Sequence, residues 1–373
     1  MMNRCLKIAG FFLFVIWLNA CGLLERNNDS AIQWHEEDLS EYVLYAFDPG
    51  GNLLVVLDVQ TGEIIKTLHN LDGIQSAVTN SDGTRVFVSV GTGSAGANPG
   101  HVYMINTTDW SREIIYDRAA HVLSSRDGRV FFMTKQTDHE TGGAIADRMF
   151  GTIDPQSGSL TEIDSISVRW GAYYDDYAIK ISSKRPLLYA LDSDHGLYRF
   201  NYETGERQSI FSEINFASAA RIHLSANEEF IYIPSGPSLA LEKEENIGSI
   251  PVWRLGHMAS RRDNREVYIT DPGGYLRDPL PSGKISVYSP DHNRIIGQIE
   301  ILVDDPNYGP RMTDDIFLTD KERYAIVSDW MRTFFVLDLK TRSLESFATY
   351  PSEDYPDFFS LTRIYLSKKP PGL

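Results

Sequence analysis

The strongest constraint on this chain is a repeat of about 45 residues, the spacing of a propeller blade. Each copy is a set of short alternating strands closed by a tight turn at Asp or Asn. Leu53-Leu54-Val55-Val56-Leu57-Asp58-Val59-Gln60-Thr61-Gly62 is the clearest copy. His101–Asn106, Phe150–Asp154, Leu197–Asn201, Ile285–Ser289 and Phe334–Asp338 repeat it. The turn markers fall at 58, 106, 154, 201, 289 and 338, with gaps of 48, 48, 47, 88 and 49 residues. The gap of 88 is two periods of 44, so one copy inside it is degenerate.

A second marker runs out of phase with the first. It is a polar turn between two strands, at Ser81-Asp82-Gly83, Arg126-Asp127-Gly128, Ser183-Lys184-Arg185, Ala226-Asn227-Glu228, Arg262-Asp263-Asn264 and Asp320-Lys321-Glu322. Asp, Asn, Gly and Ser suit such turns because they tolerate left-handed backbone or bond their own main chain. The strands between are rich in Val, Ile, Phe and Tyr with period two. The second marker counts six blades. Tyr42 to Leu68 supplies three further strands with no inner strand before them, and Phe358 to Leu366 supplies one with nothing after it. Pairing the two ends closes a ring and removes open sheet edges. The expectation is an all-β, seven-bladed β-propeller over residues 41–368, monomeric, with a short tail at 369–373.

Val56-Leu57-Asp58-Val59-Gln60-Thr61-Gly62-Glu63 and Asn80-Ser81-Asp82-Gly83-Thr84-Arg85-Val86-Phe87-Val88 resemble the YVTN family of β-propellers. The likeness covers nearly all of 42–366 and implies the fold. The family includes surface-layer and periplasmic binding proteins. Related propellers include lactonases and the large subunits of quinoprotein amine dehydrogenases. The chain departs from the family pattern in an irregular fifth blade, roughly 221–256, and in long insertions elsewhere.

Ahead of the repeat, Arg4 and Lys7 precede an apolar run from Ile8 to Leu18. That run is shorter than the roughly 20 residues that span a bilayer, and the layout is that of a signal peptide. Leu18-Asn19-Ala20-Cys21 resembles the lipobox of bacterial lipoproteins, which implies cleavage after residue 20 and acylation of Cys21. The membrane would then be a partner through that lipid. Gly22 in place of an acidic residue implies the outer rather than the inner membrane. Residues 21–40 read as a lipidated tether. Cys5 and Cys21 are the chain's only cysteines. The folded domain therefore lacks disulfides, thiolate metal ligands and cysteine nucleophiles. Cleavage would remove Arg4 and Lys7 and no acid, moving the formal charge from −16 to −18. Such a domain repels nucleic acid.

In a four-stranded blade, the turns between strands one and two and between three and four lie on one face. These are uniformly tight here. The other face takes the long connections Gly91–Gly100, Lys135–Asp147, Ser235–Glu245 and Asp271–Gly283. Long loops on a rigid scaffold are where function concentrates. Four blades place an Asp at the end of strand two on that face: Asp48, Asp192, Asp271 and Asp329. They form a candidate ring for a cation or basic partner, or each caps its own turn. The residues leading into the inner strands are candidates for the channel mouth: His121, Tyr177, Arg221, His257, Asp314, Asp315 and Phe358. His, Arg and Asp at one mouth suit acid–base chemistry or a polar ligand, although a wet channel is polar without either. Asp314 and Asp315 are adjacent in a strand and point to opposite faces.

No HExxH, phosphate-cradling loop before a helix, or G-x-S-x-G elbow is present. The nine histidines are scattered without metal-ligand spacing, so no metal and no cofactor are expected. The leading functional expectation is a non-enzymatic envelope lipoprotein that binds a protein, peptide or glycan through its loop-rich face. The alternatives are a lactonase-like hydrolase or lyase at the channel mouth, and a propeller subunit beside a periplasmic redox enzyme.

Overall fold

The computed structural model describes residues 35–47, 52–91, 100–118, 120–125, 127–134, 146–168, 179–192, 196–211, 222–233, 237–250, 256–270, 283–301, 313–329, 333–349 and 363–373. The chain divides into two units, Met1–Glu36 and Glu37–Leu373. Of the first, only the exposed His35 and Glu36 are described. The expected signal peptide and Cys21 lie outside the described residues.

The second unit is a seven-bladed β-propeller of four-stranded antiparallel sheets. Chain order begins with β1 (Tyr42–Phe47), β2 (Leu54–Asp58) and β3 (Ile64–Leu68). Blade 2 is β4 (Ile74–Thr79), β5 (Arg85–Val90), β6 (His101–Asn106) and β7 (Arg112–Tyr116). Blade 3 is β8 (Ala120–Ser124), β9 (Val130–Thr134), β10 (Ala146–Ile153) and β11 (Leu160–Val168). Blade 4 is β12 (Ile179–Ile181), β13 (Leu187–Asp192), β14 (Gly196–Asn201) and β15 (Arg207–Phe211). Blade 5 is β16 (His223–Leu224), β17 (Phe230–Tyr232), β18 (Pro237–Ala240) and β19 (Glu245–Ser249). Blade 6 is β20 (Met258–Ser260), β21 (Val267–Thr270), β22 (Lys284–Ser289) and β23 (Arg294–Glu300). Blade 7 is β24 (Thr313–Leu318), β25 (Tyr324–Asp329), β26 (Thr333–Asp338) and β27 (Ser343–Thr349). The last strand, β28 (Arg363–Lys368), pairs antiparallel with β1 from Tyr42↔Lys368 to Phe47↔Arg363. Blade 1 is therefore β28-β1-β2-β3, the closure expected from the two ends.

The first marker is an Asx turn between the third and fourth strands. Asp58 Oδ1 accepts from the N–H groups of Gln60 and Thr61, each at 2.9 Å. Asp154, Asn201 and Asp338 do the same in their blades, and Asn106 accepts from the N–H of Thr108. Four residues after each marker the backbone turns left-handed, at Gly62, Trp110, Gly158, Gly205, Asn293 and Arg342. Glu244 (φ 53°) takes that place in blade 5, so the degenerate marker is Ala240. The expected long loop Ser235–Glu245 is corrected accordingly: it contains β18 and a tight turn. Sequence reading missed both because Ala cannot make the Asx bond that identifies the other copies.

The second marker joins neighbouring blades. Its third residue is left-handed at Gly83, Gly128, Glu228, Asn264 and Glu322. At Gly83 a Cβ would lie 2.5 Å from the Lys368 carbonyl oxygen, and at Gly128 2.5 Å from Ser81 Cα, so the turns of adjoining blades touch. Where the residue is not Gly, its side chain makes the joint. Glu228 accepts from the N–H of Ser183 (2.7 Å) and the hydroxyls of Ser182 and Ser183. Asn264 accepts from the Tyr232 hydroxyl at 2.8 Å, and Glu322 from Arg262 N–H at 2.8 Å.

Blade 1 has no such turn, because its inner strand and second strand come from opposite ends of the chain. Glu37 fills the place. It accepts from the N–H groups of Lys321 (2.9 Å) and Arg323 (3.3 Å) and from the Thr319 and Tyr42 hydroxyls. Residues 37–40, expected in the tether, thus belong to the folded unit, with Leu39–Glu41 forming a 3-10 turn. Beyond β28, Lys369 Nζ binds Asp58 at 2.6 Å and its N–H donates to the Glu41 carbonyl at 2.7 Å.

Apolar side chains fill the spaces between blades. Leu44, Val55, Ile326 and Phe334 pack between blades 1 and 7, and Tyr45, Val56, Ile74 and Val88 between blades 1 and 2. Comparable clusters join blades 2 to 3, 3 to 4, 4 to 5 and 5 to 6. Blades 6 and 7 are tied by an ion pair between Arg342 and Glu266 at 2.7 Å.

Candidate functional site: the central channel

The first strands of all seven blades surround one cavity of about 580 Å³. Residues of β4, β8, β12, β16, β20, β24 and β28 line it. Each is the end strand of its sheet, so unpaired backbone groups face the cavity along with side chains. At the tight-turn end stand Glu228, Asp320 and Lys368. Glu228 is held by blade 4, and Asp320 pairs with Lys368 at 3.0 Å.

At the opposite end, His257 Nδ1 lies 2.7 Å from Asp315 Oδ1. The two side chains are 11% and 7% exposed and come from adjacent blades. Asp315 also accepts from Ile364 N–H of the closing strand at 3.4 Å and from its neighbour Ile316 N–H at 3.2 Å. A bulge between Thr313 and Ile316 turns Asp315 to this position, and Ser328 Oγ accepts its N–H at 3.1 Å. Blade 2 repeats the device with a neutral group. A bulge between Ile74 and Ser76 lets Ser76 donate its N–H to Ser89 Oγ (3.1 Å) and accept from Val122 N–H of blade 3 (2.9 Å). His257 N–H likewise donates to Thr270 Oγ1 at 2.8 Å. Asp315 and Ser76 are therefore equivalent ties from an inner strand to the next blade.

Among the expected mouth residues, the structure brings together His257 and Asp315. Asp314 is placed in β24 by its backbone. His121 lies in β8, is 3% exposed, and is not among the cavity-lining residues, which in β8 begin at Val122. Tyr177, Arg221 and Phe358 lie outside the described residues. Of the acidic residues, Asp329 is fully buried and accepts from Thr333 N–H at 2.7 Å, so it caps its own connection. Asp192 ends β13. Asp48 and Asp271 lie outside the described residues.

Sequence reading missed Lys180, His223 and Arg363, all of which line the cavity. His223 Nε2 is 3.0 Å from Ser260 Oγ in the next blade. The turn marker could have found two of them, since Lys180 and His223 each stand two residues before the first turn residue, Ser182 and Ser225. Halfway along the channel Phe317 and Tyr365 meet edge to face at 5.9 Å, and the Tyr365 hydroxyl is 3.0 Å from Ser124 Oγ. Among the described residues no group of three or more His, Cys, Asp or Glu is arranged to hold a metal, and no helix is long and apolar enough to cross a membrane.

No family model matches the chain, and no curated protein matches it in sequence. Solved structures share the fold at low identity. One is dihydro-heme d1 dehydrogenase NirN in complex with DHE, with a TM-score of 0.54 at 14% identity, covering 83% of this chain and 73% of that one. Another is a functionally unknown protein from Desulfotomaculum acetoxidans, with a TM-score of 0.57 at 14% identity, covering 87% and 99%. A third is apo AztD from Citrobacter koseri, with a TM-score of 0.56 at 11% identity, covering 87% and 97%. At these identities the likeness is one of fold.

Proposed function

We propose that this chain is a YVTN-like envelope lipoprotein, anchored through lipid on Cys21 in the outer membrane, whose propeller binds a protein, peptide or glycan on its loop-rich face. One observation carries the binding reading over a catalytic one. The polar groups at that end of the channel serve ring closure: Asp315 holds His257 and Ile364, and Ser76 holds Val122. Groups tied between blades form a rigid platform. The connections 92–99, 135–145, 271–282, 302–312 and 350–362 join strand ends at that same platform. The opposite face carries short turns that bond to one another. A rigid disc with long connections on one face suits a binding scaffold.

The test is a pull-down from detergent-solubilised envelope with the mature chain as bait. Partners retained by the intact chain and lost when 92–99 and 135–145 are shortened support the reading. Partners indifferent to both loops overturn it.

The His257–Asp315 pair favours one second reading. A carboxylate that orients an imidazole is the arrangement of a general base, which suits hydrolysis of a lactone or ester. Turnover on a panel of such substrates that disappears in His257→Ala would establish it.

A further inference from the structure

We infer that the half of the channel nearer the tight turns binds a small, flat, uncharged aromatic molecule with a polar edge, independently of any partner on the loop face. Two levels of the wall carry this assignment. They are the two residues of each inner strand that stand just ahead of its turn, Val78 and Thr79 in blade 2 for example, with Tyr365 and Leu366 as their counterparts in the closing strand. At both levels every one of the seven blades is described and lines the cavity.

The polar side chains of these levels are used between blades. Thr79 Oγ1 and Ser367 Oγ are 2.8 Å apart, and Ser124 Oγ and the Tyr365 hydroxyl 3.0 Å. Ser260 Oγ accepts from Ala226 N–H at 2.8 Å and lies 3.0 Å from His223 Nε2. Lys180 has a protein partner as well. An added charge would have to find a counter-group among side chains already engaged, and burying a charge without one is costly. The ligand class is therefore uncharged.

The rest of this wall is hydrocarbon. Leu224, Leu318, Leu366, Phe317 and Tyr365 are large, line the cavity and are only partly buried. A ligand covering them removes apolar surface from water. The rings of Phe317 and Tyr365 meet at 5.9 Å with their planes 65° apart. A third ring joins such a pair in the same offset or edge-on geometry. Tyr365 is held in place by Ser124, so little is lost in ordering it. The polar edge has its partner in the backbone. Each inner strand is paired on its outer side only, which leaves N–H and C=O groups turned to the axis. A flat molecule can lay its face on a ring and its edge on a strand. The cavity, about 580 Å³, is of the size that holds small molecules.

The experiment is titration calorimetry of the mature chain with quinolin-2(1H)-one and octahydroquinolin-2(1H)-one, which keeps the lactam and loses the aromatic face. The aromatic lactam is expected to bind about three- to tenfold tighter, the range of one ring–ring contact. Phe317→Leu should abolish that preference. Ala259→Leu, which fills the wall of blade 6 at the height of Phe317, should weaken both ligands. Each variant is first compared with wild type by thermal melting, and if one is misfolded the other carries the test. Absence of binding, equal affinity for the two lactams, or a preference that survives substitution in a folded variant overturns the proposal. None of these readings involves the loops, so they stand apart from the pull-down.

Discussion

The carboxylate of Glu37 accepts a hydrogen bond from the backbone N–H of Lys321 at 2.9 Å, joining the segment before the first strand to a turn of blade 7. The same carboxylate takes Arg323 N–H and the Thr319 and Tyr42 hydroxyls. It does for the seam what Glu228 and Glu322 do between continuous blades. The ring is thus closed twice, by the β28–β1 ladder and by Glu37. Replacing Glu37 with Ala strands two backbone donors at the joint. Hydrogen bonds to a charged acceptor contribute about 1.5–3 kcal/mol each at most, and shared, partly solvated bonds contribute less. Glu37→Ala is expected to lower stability by about 2 kcal/mol in urea unfolding. The exposed His35→Ala serves as the unchanged control. Equal stability of the two variants would show that the ladder alone closes the ring.

The joints carry a signature in acid. Burial pushes the Glu228 carboxyl up, but hydrogen bonds from Ser182 and Ser183 outweigh it and hold it below its ordinary value of 4.5. A carboxyl depressed in the folded state stabilises the fold above its unfolded value, and that stability is lost as pH falls through the folded value. Wild-type stability should therefore drop below about pH 4.5. Glu228→Gln, which cannot titrate, should show a shallower decline by urea melts between about pH 3 and 6. Parallel declines would assign the acid sensitivity elsewhere.

The degenerate copy of the repeat gives a stabilising prediction. Blade 5 keeps the left-handed Glu244 but has Ala240 where other blades have Asp or Asn. Ala240→Asn restores an acceptor for the two N–H groups of the turn, and Asn is preferred over Asp because Glu242, Glu244 and Glu245 are adjacent. By the magnitude of comparable side-chain caps it should add about 0.5–1 kcal/mol. Asn201→Ala, which removes such bonds from blade 4, should subtract about 1 kcal/mol. Differential scanning calorimetry of both variants checks the pair. A neutral Ala240→Asn would mean that the Glu244 turn is already set by its strands.

The fold was legible because propeller turns are chemically explicit. An Asx turn needs Asp or Asn, and a blade joint needs Gly or a side chain able to reach the next turn. Those requirements recur at a fixed spacing, so blade number and closure followed from residues such as Asp58, Asp154, Asp82 and Asn264. Counting four residues back from the inner-strand turn also found His257 and Asp315, from Arg261 and Thr319. The same offset gave His121 from Ser125, whereas Ser76, four residues before Asn80, drew no notice as a small neutral residue. It failed to separate them because the tilt and bulge of each inner strand decide which residue faces the axis. Ser76 and Asp315 follow bulges, which come from hydroxyls on the neighbouring strand, Ser89 and Ser328. Nor did any local pattern mark Glu37, whose partners lie some 280 residues away in sequence.

The His257–Asp315 pair can be assigned a structural or a chemical role by separating stability from activity. As a tie, it is a nearly buried contact at 2.7 Å between blades 6 and 7. Removing one member leaves the other desolvated, which costs about 3–5 kcal/mol in fully buried pairs, while replacing both with apolar groups is often close to neutral. His257→Phe and Asp315→Leu should each destabilise strongly, Asp315→Leu more so because Ile364 N–H also loses its acceptor. The double variant should recover much of the His257→Phe loss, giving a coupling of at least about 1 kcal/mol in a double-mutant cycle. A pair that also performs acid–base chemistry shows a second readout: turnover in each single variant falls by far more than its loss of folded protein. Strong coupling without turnover fits a binding propeller whose channel mouth is held rigid by its own polar contacts.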